Sequence, residues 1–78
     1  MIDEQALVAK YSKMTQQQLI DEWEYWVARN ADWEQIQVFA REKGRPESAP
    51  LIREAIADNE TTIELLEQFI YEQAQQGS

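Results

Sequence analysis

Carboxylates are the most numerous side chains in this chain whose types and spacing could do chemistry. The 78 residues include 15 Asp and Glu, but no His and no Cys. His and Cys are the most common general bases, nucleophiles and transition-metal ligands in proteins. Acid–base work by paired carboxylates is therefore the first reaction chemistry to consider.

The most regular group of carboxylates is formed by Glu60, Glu64 and Glu67. Their i, i+4, i+7 spacing places them on one face of a helix, where like charges cost a few tenths of a kcal/mol per pair. Nothing in the surrounding sequence indicates a pocket for these three carboxylates. A second acidic cluster, Asp21, Glu22 and Glu24, is too close in sequence for its members to share one helix face fully. The chain also has no calcium-loop motif, no Glu-x-x-His pair and no glycine-rich phosphate loop. We therefore expect no enzymatic activity, no metal site and no cofactor.

The elements that carry these residues are predicted to be helices. Proline occurs only at Pro46 and Pro50, glycine only at Gly44 and Gly77, and no segment alternates like a strand. The length indicates one domain, residues 1–78, of the all-α class.

Capping signals predict where the first two helices begin. Asp3 is a candidate N-cap for a helix over about 3–13. Thr15 and Gln18 have capping-box spacing, and Met14 and Leu19 have the spacing of a hydrophobic staple. These four residues predict a second helix over about 15–30.

A break near Asn30 is predicted from the phase of the apolar residues. The stripe from Leu19 to Val27 and the stripe that contains Ile36 and Phe39 differ in direction by about 130° at 100° per residue. One straight helix would leave Phe39 on the polar side. Asp32 and Gln35 repeat the capping pattern, which favours a third helix over about 32–43.

The final helix is predicted to be long and continuous. Gly44 and Pro46 indicate a loop over 44–48, and a helix of about 49–75 would be roughly 40 Å long. Its apolar stripe keeps one phase throughout, with Asn59 inside it. The predicted core or dimer seam is Ile52, Ile56, Asn59, Ile63, Leu66 and Ile70.

This long helix needs cover along its whole length, and two arrangements supply it. The shorter helices laid end to end would complete a small antiparallel bundle of three to four helices. A second copy of the chain would do the same, and a seam Asn such as Asn59 often specifies oligomeric state. The sequence leaves both arrangements open.

The aromatic residues are expected mainly in the core. Trp23, Trp26 and Trp33 each bring a large apolar area, which a small domain needs. Trp33, next to the predicted break, is the best candidate for an exposed anchor, because tryptophan is enriched at binding hot spots. Tyr71 falls near the acidic face.

Charge narrows the class of partner. The net charge is −8, and residues 54–78 contain six acids and no Lys or Arg. Direct binding to nucleic acid or to an anionic membrane is therefore disfavoured. A larger protein with a basic surface, such as one that handles nucleic acid, is the expected partner, and Glu60, Glu64, Glu67, Tyr71 and Trp33 are the candidate contacts.

The leading functional hypothesis is a small acidic protein-binding module that inhibits or adapts a larger basic protein, as accessory inhibitors of phages and mobile elements do. A dimeric acidic assembly or secretion chaperone is the alternative. A helix-turn-helix DNA-binding protein, with its turn at Asn30–Asp32, ranks third because residues 1–43 carry a net charge of −3. The absence of a signal-peptide pattern and of cysteine favours a cytoplasmic location.

Overall fold

The computed structural model describes residues 3–44 and 49–76, and this part of the chain is helical without strands. It contains α1 (Glu4–Tyr11), α2 (Gln16–Glu42) and α3 (Ala49–Gln76). α2 and α3 form an antiparallel hairpin, and the short α1 packs against one side of it. The all-α class is thereby confirmed, while Pro46 and the rest of the predicted loop at 45–48 lie outside the described residues.

The capping predictions for the starts of the first two helices are confirmed. Asp3 accepts a hydrogen bond from the backbone N–H of Ala6 at 3.2 Å. Thr15 and Gln18 form a complete capping box, with distances of 2.9 and 3.2 Å. Met14 packs against the core cluster that contains Leu19, as the staple requires. Gly44 follows α2 with φ +65°, the left-handed conformation expected after a helix C-terminus.

The predicted break near Asn30 is wrong, because α2 runs without interruption from Gln16 to Glu42. Asp32 and Gln35 lie inside α2 and do not cap a third helix. The row Leu19, Trp23, Trp26, Asn30, Trp33 and Gln37 has 4-3-4-3-4 spacing, and all six side chains are buried or half-buried. This row lies along one side of a single continuous helix and faces α3 throughout, although Asn30 and Gln37 are polar. Ile36 and Phe39, which suggested the break, are instead 46% and 59% exposed. The turn required by the helix-turn-helix hypothesis is ordinary helix.

α3 has the continuity predicted for it, and its seam divides into two rows. Ile52, Asn59 and Leu66 are buried against α2, whereas Ile56, Ile63 and Ile70 are only half-buried. One of the two heptad rows is therefore enclosed by the hairpin and the other lies at its edge.

The core sits at one end of the hairpin. Tyr11, Leu19 and Leu66 are buried together, with Leu7, Met14, Trp23, Trp26, Phe69 and Ile70 packed around them. A hydrogen bond from the Gln73 side chain to the Met14 carbonyl, 2.9 Å, fixes the register at this end. The other end, near Gly44, exposes Val38, Phe39 and Leu51. The molecule measures 51 × 20 × 14 Å. Of the buried apolar side chains in the described residues, Tyr11, Leu19 and Leu66 lie at the end that α1 covers and Ile52 lies toward the other.

Candidate protein-binding surface

Glu60, Glu64 and Glu67 lie on one exposed side of α3 and form what we call the acidic stripe. At about 100° per residue they fall within a sector of about 60°, and Tyr71 falls in the same sector one turn further on. Tyr71 is 66% exposed. The helix thus brings four of the five predicted contact residues onto one surface.

Trp33, the fifth predicted contact residue, lies elsewhere. It belongs to the inward row of α2, is half-buried, and sits toward the end of the hairpin near Gly44. The register fixed by Gln73 and Met14 places the acidic stripe level with the first half of α2. Trp33 is therefore not part of the surface that the acidic stripe forms.

α1 covers only one side of the α2–α3 hairpin. On that side Leu7 and Ala6 border a cavity with Trp26 and Thr62. Tyr11 lines a second cavity with Phe69 at the end of the same side. The opposite side carries no part of α1.

We call this uncovered side the open face. Helical phase places on it the half-buried row of α3 together with a second apolar row from α2. The α2 row is more exposed, with Val27 at 38% and Val38 at 50%. The apolar residues of the open face are Ile20, Trp23, Val27, Ala31, Val38, Ile56, Ile63, Ile70 and Ala74.

The acidic stripe borders the open face directly. A cleft of about 430 Å³ at one end of the face is lined by Ile20, Trp23, Ile70 and Ala74, and also by Glu67 and Tyr71. The cleft therefore has an apolar floor with a carboxylate and a phenol at its rim. This combination suits an amphipathic ligand, because apolar contact and a charged or polar contact are available side by side.

The α2 row of the open face was missed by the sequence reasoning. Ile20 and Val27 were read with the residues of a shorter helix, whose apolar side was expected to face a common core, and Val38 was assigned to neither apolar stripe. In the uninterrupted α2 they project beside the inward row instead. The signal that could have found them is the spacing of 7 and 11 residues from Ile20 to Val27 and from Val27 to Val38, which places all three on one side of a continuous helix.

Two asparagines lie buried between α2 and α3. Asn30 and Asn59 are 8% and 7% exposed. The Asn30 Oδ1 atom and the Asn59 Nδ2 atom have no hydrogen-bond partner among the described residues. At the core end, the Tyr11 hydroxyl and the Trp23 indole N–H likewise have no partner among the described residues. Each unpaired buried polar group destabilises a fold by about 1–3 kcal/mol.

The described residues contain no group of three or more Asp and Glu side chains arranged to hold a metal ion. None of the helices in residues 3–44 and 49–76 is long and apolar enough to cross a membrane. Comparison with protein-family models, with curated proteins and with solved structures found no match.

Proposed function

We propose that this chain is a small, acidic, non-catalytic binding module that attaches to a larger protein with a basic surface and inhibits or adapts it. A protein that handles nucleic acid is the expected class of partner, because its basic surface would complement a net charge of −8. The observation that carries the proposal is the acidic stripe beside an apolar face that α1 leaves uncovered.

The combination favours binding over catalysis. Apolar contact supplies the affinity of a protein interface, whereas complementary charge speeds encounter and excludes wrong partners. The open face provides the first element and the acidic stripe provides the second. A dimeric chaperone is the alternative function, supported by the half-buried row Ile56, Ile63 and Ile70, which a second copy could enclose.

Affinity capture from the native host's lysate, followed by mass spectrometry, would identify the partner. The test variant carries Glu60→Gln, Glu64→Gln and Glu67→Gln. We expect it to bind the identified partner at least about tenfold more weakly at low salt and with a smaller deficit at high salt, because added ions screen exposed charges.

A control variant with Glu4→Gln, Asp32→Asn and Glu72→Gln changes the net charge by the same amount at exposed positions away from the open face. It should bind nearly as well as the wild-type chain. Equal binding by the test variant and the wild type would refute the electrostatic part of the proposal. Light scattering on the free chain distinguishes a monomeric module from a dimeric chaperone.

A further inference from the structure

The free chain exposes more surface than a compact protein of its size. Its accessible surface is 5841 Å², whereas a folded monomer of 9.2 kDa is expected to expose about 4900 Å². The radius of gyration is 15.0 Å, against about 11.5 Å for a compact chain of this length. The excess of about 900 Å² is close to the ~800 Å² that each partner buries in a standard interface.

The open face has the form of a groove for one helix. Its two apolar rows run along α2 and α3 on either side of the line where these helices meet. The α2 row extends from Ile20 to Val38, a length of roughly 27 Å at 1.5 Å per residue. A helix of about 18 residues matches this length, and a groove between two helices is a common receptor for an amphipathic helix.

Both edges of the groove are acidic. The acidic stripe borders the α3 side, and Glu24 takes the corresponding position on α2, while Glu34 lies in line with the α2 row. Arg41 and Arg53, the described basic residues on this side, both lie near the end of the hairpin at Gly44. The α3 edge is therefore negative along most of the groove, and the α2 side adds the carboxylates of Glu24 and Glu34.

A second copy of the chain fits this face poorly. In a two-fold symmetric dimer the same surface meets itself. A parallel alignment sets acidic edges against acidic edges, and an antiparallel alignment relieves this only where the end that carries Arg41 and Arg53 meets the acidic end. Such like-charge contacts oppose association. A partner helix with basic residues beside its apolar stripe meets no such repulsion.

We propose that the open face binds an amphipathic helix of the partner, with its apolar stripe in the groove and Lys or Arg residues against the acidic edges. This inference rests on the proposed function and specifies the structural element that is recognised. Val27 and Ile63 contact the middle of the bound helix, and the cleft beside Trp23 receives a large apolar side chain near one end.

The test uses the full chain and three synthetic peptides of about 18 residues. The first is a Leu/Lys peptide with an amphipathic helical pattern, and the second has the same composition in a scrambled, non-amphipathic order. The third keeps the amphipathic pattern but replaces Lys with Glu. We expect the first peptide to bind at least about tenfold more tightly than either of the others, because only it satisfies both the groove and its edges.

Isotope-labelled protein reports the location of binding through its indole N–H signals. The Trp23 indole signal should shift on titration with the first peptide, while the Trp26 indole, hydrogen-bonded to Glu22 at 3.2 Å beneath α1, should shift little. A larger shift at Trp26 than at Trp23 would place the ligand on the α1 side and overturn the assignment.

A matched pair of variants tests the face itself. Val27 and Ala28 are adjacent and exposed, but Val27 lies on the open face and Ala28 lies on the outer side of α2. Val27→Lys should weaken binding of the first peptide at least about tenfold, whereas Ala28→Lys, which adds the same charge, should change it little. Circular dichroism confirms that both variants are folded.

The outcomes separate this inference from the proposed function. Equal binding of the two Lys peptides would refute helix recognition while leaving a charge-driven basic partner intact. If no basic partner is captured from lysate, the proposed function fails, and peptide binding alone would not restore it. A dimer that Val27→Lys dissociates and Ala28→Lys does not would show that a second copy occupies the face and would overturn the inference.

Discussion

The hydroxyl of Tyr11 lies in the apolar core where α1 meets α2 and α3. Tyr11 is 1% exposed, and its hydroxyl makes no hydrogen bond of normal geometry with the described residues, although the Glu22 carboxylate and the Trp26 indole lie beside it. Burial raises the pKa of Tyr11 above its ordinary value of 10.0, and the negative charge of Glu22 raises it further. Folding therefore favours the neutral phenol.

This raised pKa predicts a loss of stability in alkali. Below about pH 10 the phenol is protonated in both the folded and unfolded chain. Above that pH the unfolded chain releases the proton first, so the free energy of unfolding falls as the pH rises toward the folded-state pKa. Tyr11→Phe should remove this contribution, and urea unfolding at pH 7 and above pH 10 measures it.

The control for Tyr11→Phe is Tyr71→Phe, because the Tyr71 ring is 66% exposed. Other effects of high pH act on all three chains alike, so the decisive quantity is the difference in the free energy of unfolding between each variant and the wild-type chain. The free energy of unfolding of Tyr11→Phe, relative to that of the wild-type chain, should increase as the pH rises. If both Phe variants follow the wild-type curve at every pH, burial of the Tyr11 phenol does not control alkaline stability.

At the scale of the helices, the capping box of α2 should contribute measurable stability. Thr15→Ala removes the acceptor for the Gln18 backbone N–H and should lower the free energy of unfolding by about 1 kcal/mol. For a domain of this size that corresponds to a fall in Tm of about 4–8 °C. Thermal unfolding followed by circular dichroism measures the change.

Thr61→Ala is the matched control for the capping box. Thr61 lies inside α3, and its hydroxyl donates to the Ala57 carbonyl at 3.1 Å without capping a helix. Because alanine has a higher helix propensity, this change should leave Tm unchanged or raise it slightly. A Tm loss shared equally by both variants would mean that loss of a hydroxyl, rather than loss of the cap, accounts for the effect.

Local signals made the starts of α1 and α2 and the end of α2 predictable from the sequence, although the same capping pattern at Asp32 and Gln35 wrongly predicted a helix start inside α2. Asp3, Thr15 with Gln18, and Gly44 each act within one turn of the chain, so their chemistry can be read without knowledge of the fold. The continuity of α3 was predictable for a similar reason, since its apolar row keeps one phase.

The continuity of α2 was not predictable in the same way. Asn30 and Gln37 are polar residues in its inward row, and packing against α3 keeps them there despite their character. Ile36 and Phe39 remain on the outside, where Lys43 Nζ lies 5.7 Å from the centre of the Phe39 ring. Packing of α2 against α3 thus explains why the helix does not break near Asn30. It also explains why Trp33 faces inward, away from the acidic stripe.

On the scale of the whole molecule, the hairpin is packed unevenly along its length. The core cluster around Leu19 and Leu66 lies at the end that α1 covers. The buried Asn30 and Asn59 follow toward the middle, and the end near Gly44 has several exposed apolar side chains. Since local stability follows buried apolar contact, the two ends should open with different free energies.

Amide hydrogen exchange can measure this difference at matched positions. Trp23 and Ile56 are each seven residues after the start of a helix, and Gln35 and Phe69 are each seven residues before the end of one. Helix fraying is therefore comparable within each pair. After correction for intrinsic rates, we expect protection at least about tenfold greater at Trp23 than at Ile56, and at Phe69 than at Gln35.

Equal protection within both pairs would mean that the hairpin opens only as a single unit, despite its uneven packing. The amphipathic Leu/Lys peptide adds a second comparison, because a helix along the whole open face contacts the weakly packed end as well as the core end. Binding should then raise protection more at Ile56 and Gln35 than in the core pair, since the core pair is already protected without the ligand. A gain confined to Trp23 and Phe69 would restrict the contact to the cleft, and the rest of the open face would lie outside the interface.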